Sequence, residues 1–146
     1  MFDWKKIAKL CVGIGFVLSL AACSNSGGDS SEFKGVEYIG KGVMESMVNV
    51  AVHGPDQMLF LEAVKVVDDQ PTVRKVLEAV EQHRGISMEF DQNGRITQVN
   101  DQTNNEQSRW TLLIDNVVMD QDINELKVED DQNITVLYDD LEGKAN

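Results

Sequence analysis

The sequence predicts a single small α+β domain, a mixed β-sheet of hairpins with one helix packed across it. Three observations carry this. Between Met47 and Tyr138, short runs alternate apolar and polar side chains, and turn residues separate them (His53-Gly54-Pro55-Asp56, Asn93-Gly94, Asp115-Asn116). One segment, after Thr72, switches to helical spacing. Strands lie both before and after that helix, an order that places it on one face of a sheet.

Met1–Leu10 carries Lys5, Lys6 and Lys9, and Leu10–Leu20 is an uncharged apolar run. The run suits a signal-peptide core and is shorter than the ~20 apolar residues of a spanning helix. Leu20-Ala21-Ala22-Cys23 then resembles the recognition sequence of a bacterial lipoprotein, with small residues leading to a cysteine. That resemblance implies removal of residues 1–22 and a diacylglycerol thioether on Cys23, whose two acyl chains suffice for stable anchoring. The expected location is a bacterial cell membrane or outer membrane, lipid-anchored and facing outside the cytoplasm. Cys11 lies in the discarded core, so the mature chain would hold no disulfide and no cysteine metal site.

Removing residues 1–22 from the 146 leaves 124, enough for one domain with a core. The leader takes three lysines and one aspartate with it, so 10 basic residues then face 24 acidic ones, a formal charge of −14. Such a surface repels nucleic acid and anionic lipid. Residues 23–31 read as the lipidated N-terminus and a flexible polar tether. Residues 32–46 read as an extended arm, in which Val36, Tyr38 and Ile39 offer an edge strand while Gly35, Gly40 and Gly42 weaken regular structure. The domain is placed at 47–146.

Met47–Val52 and Gln57–Val67 make a hairpin. Thr72 is the candidate N-cap of the helix, Val73, Val76, Leu77 and Val80 form its one apolar stripe, and Gly85 follows His83 and Arg84 as C-cap. Ile86–Asp101 is a second hairpin, for which a two-residue type I′ turn at Asn93-Gly94 would pair Phe90 with Thr97 and Met88 with Val99, all four facing the core. Trp110–Ile114 turns at Asp115-Asn116 into Val117–Met119, and Ile134–Tyr138 closes the sheet.

The order of four fragments resembles the transcobalamin-like C-terminal domain family over roughly Met47–Asp140. They are Thr72-Val73 with Val76-Leu77 at the helix start, Gly94–Asn100, Trp110–Asn116, and Val128–Ile134. Asp101, Asn116 and Asp131 stand where the family has turn glycines, and these residue types best tolerate a left-handed turn. Leu112, Leu113 and Arg95 replace aromatic residues. The resemblance implies the β-grasp-like fold and a corrinoid as candidate ligand, held in the cobalamin carriers between this domain and a helical barrel that this chain lacks. Trp110, Thr97 and Tyr138 are the candidate ligand-binding residues, although a strand tryptophan more often packs in a core than stacks on a ligand.

No catalytic set is visible. His53 falls at a strand end and His83 in the last helical turn, where a cation meets the helix dipole favourably. Asp120-Gln121-Asp122-Ile123-Asn124 resembles the start of a calcium loop, but Glu125 replaces the glycine such a loop needs and Asp131 its final glutamate, so a solvated acidic loop is expected. The expected function is non-catalytic binding of a small organic ligand or an envelope protein partner, with no resident cofactor or metal. The alternative is an accessory subunit of an envelope or transporter complex. A concave apolar pocket beside Trp110 favours the first, a flat exposed apolar patch the second, and a convergent histidine–carboxylate site an enzyme.

Overall fold

Valine at every second position builds the main sheet. Val48, Val50 and Val52 on β2 (Glu45–His53) and Val64 and Val66 on β3 (Met58–Val67) turn to one face and are fully buried. Branched side chains suit such a pleated surface. The two strands pair antiparallel, Val48 opposite Val64 and Val52 opposite Phe60, and the Gly54 N–H donates to the Gln57 carbonyl at 2.9 Å in the turn. The computed structural model describes residues 33–141, so the leader, the tether and Cys23 lie outside the described residues.

The sheet begins before Met47. Of the two readings of residues 32–46, the edge strand is the one found: β1 (Val36–Ile39) runs parallel to β3, with Val36 opposite Val64 and buried with the valines of β2. Helix α1 (Val73–Arg84) buries Val73, Val76, Leu77, Ala79 and Val80 and packs against β1 and β3. Thr72 holds the N-cap position in extended backbone without a side-chain cap bond. Instead, the N–H groups of Val73 and Arg74 donate to the Leu126 and Ile123 carbonyls at 2.9 and 3.1 Å. Gly85 closes the other end in the left-handed region (φ 66°), its N–H donating to the Glu81 carbonyl.

The last strand enters the middle of the sheet. β9 (Asn133–Asp140) lies parallel to β2 and antiparallel to β7 (Ser108–Ile114), which carries β8 (Val117–Met119) on its far side. The order is β1-β3-β2-β9-β7-β8. A parallel neighbour needs a long crossover, and everything between β2 and β9 serves as one. Ile134 and Val136, with Trp110, Leu112 and Ile114, extend the buried valine face.

The second hairpin leaves this sheet. β4 (Met88–Phe90), β5 (Ile96–Val99) and β6 (Gln102–Thr103) form a separate three-stranded sheet. Met88 faces Val99 as expected, but Phe90 faces Ile96, not Thr97. The cause is Asp91, whose carboxylate accepts the N–H groups of Asn93 and Arg95 at 2.8 and 2.9 Å. Gly94 alone takes positive φ (73°) and donates to the Asp91 carbonyl, while the Asp91 N–H donates to the Arg95 carbonyl. This is a turn followed by a glycine bulge, one residue longer in effect than a type I′ hairpin. Ile96 and Val99 are thereby both buried, and Thr97 and Phe90 are only half-buried.

The left-handed residues follow the glycine-replacing pattern with one exchange. Asn116 and Asp131 have φ of 66° and 64°, but Asn100 (51°), not Asp101, makes the third such turn. Its carboxamide accepts the Ser87 N–H at 3.0 Å, an anchor Asp101 does not have. Among the described residues, no helix is long and apolar enough to cross a membrane.

Candidate functional site

β8 covers only Leu112–Ile114 of β7, so Ser108–Thr111 have no strand beside them on that side. β5 stands across this gap. Asn104 bridges it: its N–H donates to the Thr97 carbonyl at 3.0 Å and its Nδ2 to the Ile96 carbonyl at 2.9 Å. Its Oδ1 accepts the Trp110 N–H at 2.7 Å. One carboxamide thus replaces a missing strand. Beyond it the two strands diverge around a cleft of about 460 Å³, whose walls include Ile96, Thr97, Trp110, Leu112, Val118 and Met119.

Arg95 and Asp120 also line this cleft and pair at 2.8 Å with both side chains largely exposed. Such a pair contributes little stability. Thr111 lines it too, and its Oγ1 is the one buried side-chain polar atom without a hydrogen-bond partner among the described residues.

Of the three expected binding residues, Thr97 and Trp110 meet at this cleft and Tyr138 does not. Trp110 is 5% exposed, and its indole N–H donates to the Gln102 carbonyl at 2.8 Å. It is a core residue that also forms a wall. Tyr138 packs on it with ring centroids 5.1 Å apart, and the Tyr138 hydroxyl is spent on the Thr103 carbonyl and Asn105 Nδ2. Asn104 and Thr111 were not legible as site residues. Asn104 sits in a run of polar residues that reads as an ordinary loop.

The Asp120–Asn124 run has other work. Asp122 accepts the backbone and side-chain N–H groups of Asn124, Ile123 is buried, and its carbonyl receives the helix N-terminus. Among the described residues, no group of three or more histidine, cysteine or carboxylate side chains is placed to hold a metal ion.

The face of the main sheet away from α1 is also open. One cross-strand row on it reads Leu61, Ala51, Thr135, Leu113, Val118, with no charged side chain. Leu61 and Val118 are more than half exposed.

No family model matches the chain, and no curated protein matches it. Solved structures do. The crystal structure of haptocorrin in complex with Cbi superposes with a TM-score of 0.58 at 19% identity, covering 69% of this chain and 26% of haptocorrin. This chain therefore corresponds to about a quarter of that protein. A second structure, described as that of a candidate metal-binding protein from Ruminococcus gnavus, gives a TM-score of 0.47 at 17% identity over 65% of this chain and 97% of its own. The class defined is an α+β domain distantly related in structure to part of haptocorrin.

Proposed function

We propose that this chain is a lipid-anchored extracytoplasmic protein whose β-grasp-like domain binds a small organic ligand without catalysis, in the cleft between β5 and β7. A corrinoid is the first candidate. The observation that carries this reading is the cleft itself: about 460 Å³ with an apolar wall of Trp110 and Leu112 and an unspent Thr111 hydroxyl. Ligand sites commonly span ~300–1,000 Å³ with few polar groups among apolar walls. The fold likeness to haptocorrin, solved with Cbi, supports the choice of ligand, and the Leu20–Cys23 signal supports the anchor. Because the chain covers a quarter of haptocorrin's length, a partner protein that completes the site belongs to this reading.

The test uses the full chain with Trp4→Phe, which leaves Trp110 as the remaining tryptophan. Titration with cobinamide, repeated by calorimetry because the ligand absorbs, should give a saturable response. Thr97→Phe fills the cleft from its half-buried wall without adding a second tryptophan and should remove the response while leaving the fold intact. No saturable heat up to the solubility of cobinamide would turn the assignment to the second reading, an accessory subunit of an envelope or transporter complex. The uncharged row on the open sheet face favours that one.

A further inference from the structure

We propose that the loop joining β1 to β2 is a rigid apolar tip that rests in the surface of a zwitterionic lipid bilayer beside the chain's own anchor. This rests on the anchoring reading above and adds a contact made by the folded domain itself. Ile39, Val43 and Met44 are 74%, 87% and 60% exposed and fall within one six-residue stretch.

Exposed apolar residues on a loose loop would carry no meaning, but this loop is fastened from below. Asp68 Oδ2 accepts the Lys41 N–H at 3.0 Å, and Asp69 Oδ1 accepts those of Val43 and Met44 at 3.0 and 3.2 Å. In return, the Asp68 and Asp69 N–H groups donate to the Met44 and Lys41 carbonyls at 2.9 and 3.0 Å. The glycines are required by this arrangement. A Cβ at Gly40 would stand 1.8 Å from Asp68 Oδ2, and one at Gly42, where φ is +127°, 2.1 Å from the Asp69 carboxylate. The tip thus pairs much of its own backbone while displaying apolar side chains. A segment entering a lipid interface needs that combination, because unpaired peptide groups are costly away from water.

Chain length favours the bilayer as the occupant. Cys23 and Phe33 are ten residues apart, so no more than about 35 Å of chain can separate them, and β1 adds about 13 Å. The tip therefore stays within reach of the surface that would hold the acyl chains. The charge of −14 expected for residues 23–146 opposes anionic headgroups, so the contact is apolar insertion among neutral ones. The geometry is also compatible with the cleft: β7 stands four strand intervals from β1. At ~4.8 Å per interval that is about 19 Å, so a seated tip stands clear of the cleft.

Val43→Cys and Met44→Cys, each in the full chain and carried through to its membrane-bound product, are purified and reconstituted into phosphatidylcholine vesicles. They are reacted with a membrane-impermeant maleimide. Leu61→Cys, 65% exposed on the open sheet face, is the control, and the unsubstituted chain sets the background. In floated vesicles the tip cysteines should label roughly tenfold slower than the control, since apolar surroundings suppress the thiolate. Detergent should equalise the rates. Equal labelling in floated vesicles overturns the proposal alone. A product that fails to float with the vesicles removes the anchoring reading and the proposal together. Free labelling in vesicles with protection in native membranes assigns the tip to a protein partner and overturns the lipid assignment.

Discussion

Asp68 shows how much a single side chain can organise. Nearly buried at the end of β3, it accepts Lys75 Nζ at 2.8 Å, the Gln70 N–H at 2.7 Å and the Lys41 N–H at 3.0 Å. The Lys75 ammonium first, then the two N–H groups, hold its carboxyl at about 2 against an ordinary 3.8. The folded protein therefore binds this proton less tightly than the unfolded chain. The resulting stabilisation is fully present above an ordinary aspartate's pKa of about 4 and is lost as pH falls through about 2. Asp68→Asn should lower the denaturation midpoint at neutral pH and flatten its fall between pH 4 and pH 2, as urea unfolding at each pH would show. In the sequence Asp68 is only an acidic residue before a helix. Its partner at Lys41 lies 27 residues upstream, so the role becomes visible only when β1 and β3 are side by side.

Elements were legible where local signals agree. The helix combines an apolar stripe, a Thr72 start and a Gly85 stop, and all three stand in the structure. A Cβ added at Gly85 would meet no neighbouring atom within 4 Å, so Gly85→Ala isolates the cost of left-handed backbone. It should destabilise the fold by about 1 kcal/mol without altering packing, measurable as a shift in unfolding midpoint at constant m. The second hairpin departs from its local signal. Asn93-Gly94 is a strong type I′ signal, yet Asp91 two residues earlier captures the Asn93 and Arg95 N–H groups and widens the turn. One shifted pair moved Ile96 into the core and left Thr97 beside the cleft.

Across the molecule, the small sheet of β4–β6 and the edge of β7 are joined largely through side chains. Asn104 links Ile96, Thr97 and Trp110, and the Trp110 indole reaches Gln102. Removing that carboxamide should free the Trp110 N–H without touching the helix. Asn104→Ala is expected to speed hydrogen exchange at the Trp110 amide while leaving the Leu77 amide unchanged. Equal protection at Trp110 in both proteins would show that the cleft's width is set elsewhere.

Read alone, the amino-acid sequence settles the parts that depend on neighbours along the chain: the helix and its ends, the β2–β3 and β7–β8 hairpins, the left-handed turn at Asn116, and the acidic surface. Two-residue and 3.6-residue periods are local properties, so a linear reading recovers them. Tertiary pairing settles the rest. Insertion of β9 between β2 and β7, recruitment of Val36–Ile39 as an edge strand, departure of the second hairpin into its own sheet, and the cleft bridged by Asn104 all depend on pairings between distant segments. Strand periodicity says which face of a strand is buried, but it does not say which strand lies alongside.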